Sequence, residues 1–372
     1  MQAFDSIMQI DSFQPKQYHQ LLDDKVVSFT QKIADFYTDP LDIFASPLAH
    51  FRYRCEFRFW HHSKGADYAI FAQGDNKNPI LINEYPIASK KINQLMPILK
   101  KCILDKEILS EKLFQITFLT SSINQVLVTL IYHKPLDENW IKAANTLEKD
   151  LEIHLIGRSK GQKCILSQDF IEERFTVNND IIDYQLFDGG FTQPNPYINQ
   201  LMLNWTVSHC AQSETDLLEL YCGNGNFTLA LAKQFKQVLA TEVSKSSIKN
   251  LADNLLLNNN QNIAFCRLSS EEFCQAFNQD RTFRRLKEKH IQLKDYAFST
   301  VFVDPPRAGL DEKTLALIAQ FDRIIYISCN PGTLVQNIHR LHKTHKIHKV
   351  AIFDQFPYTH HIESGVIFNK KN

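Results

Sequence analysis

The sequence contains no run of the roughly 18 apolar residues that a helix needs to cross a bilayer, no excess of charge of either sign, and no C-x-x-C pair. The first absence argues against a membrane-spanning protein. The second is arithmetical: 41 Lys+Arg balance 41 Asp+Glu, for a formal net charge of zero. A protein that coats nucleic acid indiscriminately is thereby excluded, while a local basic groove is not. The third concerns Cys55, Cys102, Cys164, Cys210, Cys222, Cys266, Cys274 and Cys329, whose closest pair lies eight residues apart. That spacing supplies neither a zinc ribbon nor an iron–sulfur cluster. Scattered cysteines in a chain of this length fit a reducing cytoplasm better than a disulfide framework. Residues 1–5 lack a basic segment followed by an apolar stretch, so no secretory signal is expected and the cytoplasm is the expected location.

What is present suits a globular chain. The 372 residues are 44% hydrophobic and 22% charged, and at roughly 150 residues per domain they suggest two domains. Over residues 15–37, Leu21, Leu22, Val26, Val27, Phe29, Ile33 and Phe36 recur at helical spacing. The period then changes. In FRYRCEFRFW (51–60), Phe51, Tyr53, Cys55, Phe57 and Phe59 alternate with Arg52, Arg54, Glu56 and Arg58. This predicts a strand with a buried aromatic face and a mostly cationic exposed one, which is either a solvated surface or a phosphate-binding one. Further strands are expected over 68–72, 80–82, 113–120 and 125–132, the last two joined by a hairpin at 121–124. Helices are expected over 92–104 and 138–151. Short strands in meander order with a few helices imply an α+β domain with an antiparallel sheet.

From about residue 190 the pattern differs. A helix over 197–210 leads into strands at 217–221, 238–241, 263–267, 300–303, 324–328 and 349–353, alternating with helices. Such βαβ order implies a Rossmann-like, doubly wound, mostly parallel sheet covered on both faces. The expected division is therefore 1–185 and 186–372.

Four segments carry chemistry. In DLLELYCGNGNFT (216–228) an apolar strand runs into a glycine turn and a helix, the arrangement that opens a ligand crevice in a doubly wound sheet. Gly223 and Gly225 let a nucleoside approach the backbone, and Asn224 and Asn226 add polar contacts. Glu242, 19 residues after Gly223, suits a carboxylate accepting hydrogen bonds from both ribose hydroxyls. A dinucleotide site would look similar. However, Thr228 stands where the third glycine of G-x-G-x-x-G would fall, and Glu219 lies in the preceding strand, so S-adenosylmethionine is the better candidate. In VFVDPPRAGL (301–310), Asp304 ends a buried strand and two prolines stiffen the backbone beyond it. Asp-Pro-Pro resembles the motif lining the flipped-base pocket of nucleic-acid base methyltransferases; a structural turn is the alternative. Arg307 is placed to meet phosphate or base. In IIYISCNPGT (324–333), Cys329 ends another parallel strand on the same edge. A cysteine in a buried strand is commonly inert packing, but a strand end just before Asn330-Pro331 moves it toward the crevice. In FDQFPYTHHIESGV (353–366), the adjacent His360 and His361 invite a metal reading, yet no third ligand has suitable spacing.

Together, ELYCGNGNF, FVDPPRAGL, YISCNP and DQFPYTHHIESG resemble the signatures of the RNA uracil-5 methyltransferases. Residues 51–60, KLFQITFLT and FTQPN extend the resemblance over essentially the whole chain, and it is strongest to members that make T-loop ribothymidine in tRNA. The resemblance implies S-adenosylmethionine-dependent methylation of uridine 54 in the tRNA T-arm, with a T-loop-like uridine of tmRNA as a second substrate, by a monomer. It implies Cys329 as nucleophile and Glu363 as proton acceptor. Gln193, Tyr221, Asn226, Glu242 and Asp304 match cofactor ligands, and Arg52, Arg58, Phe114 and Arg307 match RNA-contacting positions. Neither a metal nor an iron–sulfur cluster is implied. Relatives acting on ribosomal RNA usually carry an N-terminal β-barrel and four cluster-binding cysteines, which this sequence lacks. Ser364 stands where some relatives carry cysteine. The competing readings are a ribosomal RNA uracil-5 methyltransferase, a non-catalytic RNA-binding or RNA-folding protein on this scaffold, and a dinucleotide oxidoreductase. An intact Cys329/Glu363 pair weighs against the second, and the incomplete glycine pattern against the third.

Overall fold

The computed structural model describes residues 13–371 apart from Gln73, Asn76 and Ala211. Its strands are β1 Asp42–Phe44, β2 Arg54–His62, β3 Gly65–Phe71, β4 Pro79–Ile82, β5 Leu113–Thr120, β6 Val126–Tyr132, β7 His154–Ser159, β8 Gln162–Ile165, β9 Phe170–Val177, β10 Asp180–Phe187, β11 Asp216–Leu220, β12 Val238–Thr241, β13 Ile263–Cys266, β14 Phe298–Val303, β15 Arg323–Ser328, β16 His345–Phe353 and β17 Glu363–Lys370. The chain divides into two compact units. One holds residues 13–18, Pro47–Arg174 and Gln185–Pro196; the other holds His19–Ser46, Phe175–Tyr184 and residues 197–371.

This partition differs from a single cut at 185/186, and burial explains why. The amphipathic helix Tyr18–Ile33 places Phe29 and Ile33, each 1% exposed, in the apolar cluster of the second unit beside Leu218, Val301 and Ile324. Strand β1 then pairs in parallel with β16, and Phe44 stacks on Phe353 at 4.9 Å. An apolar helix face goes where a matching face exists, whatever the order along the chain.

In the first unit, β4-β3-β2-β5-β6-β7-β8 form one sheet. Its ladders are antiparallel except β6–β7, which are parallel and joined by the crossover helix Glu138–Leu151. The expected antiparallel sheet thus carries one parallel ladder. The alternation read from residues 51–60 appears on β2, where Cys55, Phe57 and Phe59 are buried and Glu56 and Trp60 exposed. The strand begins at Arg54, however. Arg52 precedes it, making an isolated bridge to Ala88 while its Nε donates to the Arg54 carbonyl at 3.0 Å.

In the second unit the sheet order is β1-β16-β17-β15-β14-β11-β12-β13. Residues on β11, β12, β14 and β15 are almost all buried, as expected of strands covered on both faces. The chain moves from β11 outward to β13, then returns to β14 on the other side of β11. Strand order therefore reverses between β11 and β14, the place where ligands bind in open α/β sheets. The last strand, β17, runs antiparallel between β15 and β16, so the sheet is mixed and mostly parallel.

Among the described residues no helix is long and apolar enough to cross a membrane, and no three His, Cys, Asp or Glu side chains gather as a metal site.

Candidate active site

Ladder register brings the chemistry of the second unit to one edge. Leu220 pairs with Val303 on one side and with Thr241 on the other. The next residue of each strand therefore sets Tyr221 between Asp304 and Glu242. Because β17 is antiparallel to β15, its first residue arrives at this same edge: Ser328 pairs with Ser364, so the next step sets Cys329 opposite Glu363. The Ser364 hydroxyl donates to the Ser328 carbonyl at 3.2 Å, tightening that end. The loops carrying Cys329 and Arg307 are also tied together. Asn330 Nδ2 donates to the Arg307 carbonyl at 2.9 Å, and its Oδ1 accepts from Gly332 N–H at 3.0 Å, capping helix Pro331–Leu341.

The turn after β11 is shaped as a cradle. Tyr221, Gly223 and Gly225 have φ of 62°, 56° and 91°. A Cβ on Gly225 would meet Leu251 Cδ1 at 2.5 Å, whereas one on Gly223 would find no atom within 4 Å, so the space above Gly223 is open. Glu242 accepts from Gly223 N–H at 3.2 Å and from Ser244 N–H at 2.7 Å. Asn226 and Asn199 exchange amide hydrogen bonds at 2.8 and 2.9 Å, which fixes the turn to helix Pro196–Ser208 and leaves Asn226 one further N–H. The Tyr221 hydroxyl donates to Ser270 at 2.8 Å. Glu219, on β11, is 1% exposed and its Oε2 has no hydrogen-bond partner. A cationic nucleoside such as S-adenosylmethionine fits this acidic, open cradle.

Acidic groups crowd the edge, and burial raises Asp304, Glu219, Cys329 and Glu363. Burial lifts Asp304 to about 7. It lifts Glu219 to about 8, with the nearby Asp304 adding to the shift and Thr228 opposing it. Cys329, half-buried, is pushed to about 12, mainly by desolvation and then by Glu363 and Asp304. Glu363, 4% exposed, is raised well above the ordinary carboxylate range by burial and by Asp304. The Arg307 guanidinium opposes both of the last two shifts. The thiol also directly precedes the N-cap of an 11-residue helix, whose N-terminal dipole favours a thiolate.

The other sequence-predicted positions lie in the first unit. Gln193 is half-buried in the segment after β10, next to Pro194, whose carbonyl accepts from Tyr53 N–H at 2.8 Å. Phe114 sits at a register shift: Leu113 pairs with Tyr132 and Gln115 with Ile131, so Phe114 is the extra residue of a bulge. A bulge re-aims its side chain. The Phe114 ring stacks on His133 at 4.1 Å, and the Arg58 guanidinium lies 3.6 Å from the ring centre. With Trp60, His61 and Phe71 these side chains line a groove of about 560 Å³. The sequence pattern did not single out His133 or Trp60; alternation on β2 and the β5–β6 pairing are the signals that place them there.

Residues 17–371 match the family model for tRNA (uracil-5-)-methyltransferase. A tRNA/tmRNA (uracil-C(5))-methyltransferase of Saccharophagus degradans is 50% identical over 358 residues, covering 96% of this chain and 98% of that one. One from Cellvibrio japonicus is 51% identical over 354 residues, covering 95% and 96%. Among solved structures, the tRNA (uracil-54, C5)-methyltransferase of Pyrococcus abyssi in complex with S-adenosyl-L-homocysteine has a similar fold. Its TM-score is 0.72 at 22% identity, and the match covers 94% of this chain and 83% of that one.

Proposed function

The chain belongs to the tRNA (uracil-5-)-methyltransferase family, and on that premise we propose that it methylates carbon 5 of uridine 54 in the T-loop of tRNA. A T-loop-like uridine of tmRNA is its second substrate. The observation that carries this reading is the register that sets Cys329 opposite Glu363, on the same edge as Tyr221, Asp304 and Glu242. Tyr221, Asn226, Glu242 and Asp304 would hold S-adenosylmethionine, which supplies an electrophilic methyl group when bound.

The chain supplies the rest. Carbon 5 of uracil is too weak a nucleophile to be alkylated unaided. The Cys329 thiolate adds to carbon 6, and the electron pair of the double bond moves into an enolate that makes carbon 5 nucleophilic. After methylation, Glu363 takes the proton from carbon 5. That C–H electron pair re-forms the 5,6 double bond, and the sulfur leaves carbon 6 as thiolate. Arg307 favours the charged forms of both groups. The target base is extruded from the folded T-loop to reach the thiol. In the first unit, Phe114 offers a stacking surface for an unpaired base, while Arg52 and Arg58 meet phosphate; Arg307 contacts RNA from the second unit. The enzyme acts as a monomer, and its eight free thiols fit the reducing cytoplasm as its location.

Two variants test the assignment. With labelled T-arm RNA, Cys329→Ala is expected to give no adduct and no methylated product. Glu363→Gln keeps the thiol and loses the base, so a denaturing gel should show a slow-migrating adduct whose base carries the methyl. Turnover by Cys329→Ala would overturn the covalent mechanism.

A further inference from the structure

Lys25 lies on helix Tyr18–Ile33, far in sequence from every segment named above, yet its side chain is 8% exposed and that of its partner Asp354 is 1% exposed. Its Nζ donates to Asp354 Oδ1 at 2.7 Å and to the Phe356 carbonyl at 2.9 Å. Asp354 is the first residue after β16, and its backbone N–H donates to the Phe44 carbonyl at 3.0 Å. The Phe356 carbonyl also accepts from the Thr359 hydroxyl at 2.8 Å, and that hydroxyl accepts from His361 N–H at 3.1 Å. A continuous run of hydrogen bonds thus leads from the ammonium, through the segment between β16 and β17, to the residue two before Glu363.

Burial alone pulls an ammonium toward its neutral form, and Lys25 is lowered from its ordinary value in spite of Asp354 beside it. An ion pair in such a place is a poor source of stability, because well-packed apolar residues commonly do as well. What it supplies is direction. Nζ donates to two fixed acceptors on one loop, which apolar packing cannot imitate. The loop starts just after Phe353, which pairs with Glu363 in the β16–β17 ladder, so a shift at its first residues is passed to the carboxylate at its end.

We propose that the Lys25–Asp354 pair is a positioning device for proton removal: it pins the loop so that the Glu363 carboxylate meets the carbon 5 proton. Lys25 and Asp354 are positioning residues; neither touches substrate. The inference rests on the reading of Glu363 as the base. It separates the reaction in two. Thiol addition and methylation depend on Cys329 at the end of β15 and are independent of the pin, whereas elimination depends on it.

The test uses the full-length protein, S-adenosylmethionine and labelled T-arm RNA. Lys25→Met leaves a lone buried carboxylate, so the double variant Lys25→Met/Asp354→Asn, which leaves no unpaired charge, is made beside it. Both are expected to bind S-adenosylmethionine with wild-type affinity and to form the adduct at the wild-type rate. Their steady-state kcat should fall roughly 10- to 100-fold, the scale of a small misplacement, while a methyl-bearing adduct accumulates on Cys329. Wild-type turnover without adduct in the double variant overturns the proposal. So does an equal slowing of addition and elimination, which would make the pair a general structural support. Glu363→Gln runs as the control. If it traps methylated adduct while the double variant behaves as wild type, this inference alone has failed; if it traps nothing, the base assignment has failed and takes the inference with it.

Discussion

Cys329 and Glu363 each adjoin the Ser328–Ser364 pair that ends the antiparallel β15–β17 ladder. Directly opposed residues in such a ladder have Cα atoms about 4.5–5.5 Å apart and side chains on one face. A thiol and a carboxyl so placed can address two adjacent carbons of one planar ring. The same closeness burdens the thiol: after desolvation, the neighbouring Glu363 is the next cause that raises it.

A pH dependence follows. In the proposed mechanism Cys329 and Glu363 both act as conjugate bases, and both have raised values, about 12 for the thiol and well above the carboxylate range for Glu363. Activity should therefore climb from neutral into alkaline pH, with a slope of about one or more in log kcat/KM per unit. Arg307→Ala removes the cation that lowers both values and should move the profile to higher pH. A flat profile from pH 6 to 9, measured by methyl incorporation, would contradict this.

Stability should run the opposite way. Glu219 is raised to about 8, so the folded protein holds a proton that the unfolded chain gives up near pH 4.5. Its contribution is fully present below the unfolded value and is lost as pH rises through the folded one. Thermal melting of the ligand-free protein should fall between pH 5 and 8 by an amount worth on the order of a few kcal/mol. Glu219→Gln should flatten that decline and melt higher at pH 8. A decline of wild-type size in the variant would assign the effect elsewhere.

Glu242 accepts two backbone N–H bonds that shape the glycine turn and retains lone pairs, which the proposed function assigns to the ribose hydroxyls. Glu242→Ala should weaken S-adenosylmethionine binding by roughly 1.5–3 kcal/mol, as for loss of charge-assisted hydrogen bonds. Calorimetric titration measures it, and unchanged affinity would remove Glu242 from the cofactor site.

The groove of the first unit separates stacking from charge. Phe114→Ala should weaken tRNA binding by about 1–3 kcal/mol with little change in its salt dependence. Arg58→Gln should reduce the salt slope by about one. Arg52→Ala should do the same if its guanidinium reaches phosphate beside its bond to the Arg54 carbonyl. Filter binding across a salt series distinguishes these outcomes.

Much of this protein is legible along the chain. Strand and helix periods, the glycine turn, Asp-Pro-Pro, and Cys329 before Asn-Pro are local patterns, each decided by a few neighbouring residues, and they point to the methyltransferase fold and chemistry. Other features depend on partners distant in sequence. The amphipathic pattern of residues 15–37 shows an apolar face but not which core receives it, and the second unit receives it because its cluster presents the matching surface. Alternation ran the strand through Arg52, but β2 begins at Arg54 and Arg52 lies outside it, bridged to Ala88. Resemblance marked Phe114 as an RNA-contacting position, but only the β5–β6 register shows it to be a bulge residue. No sequence pattern singles out Lys25, which pairs with Asp354 at the far end of the chain. Sequence alone determined which groups could react, because reactivity is a property of residue type. Tertiary structure decided which groups meet, because ladder register and burial are set by pairings that no local pattern encodes.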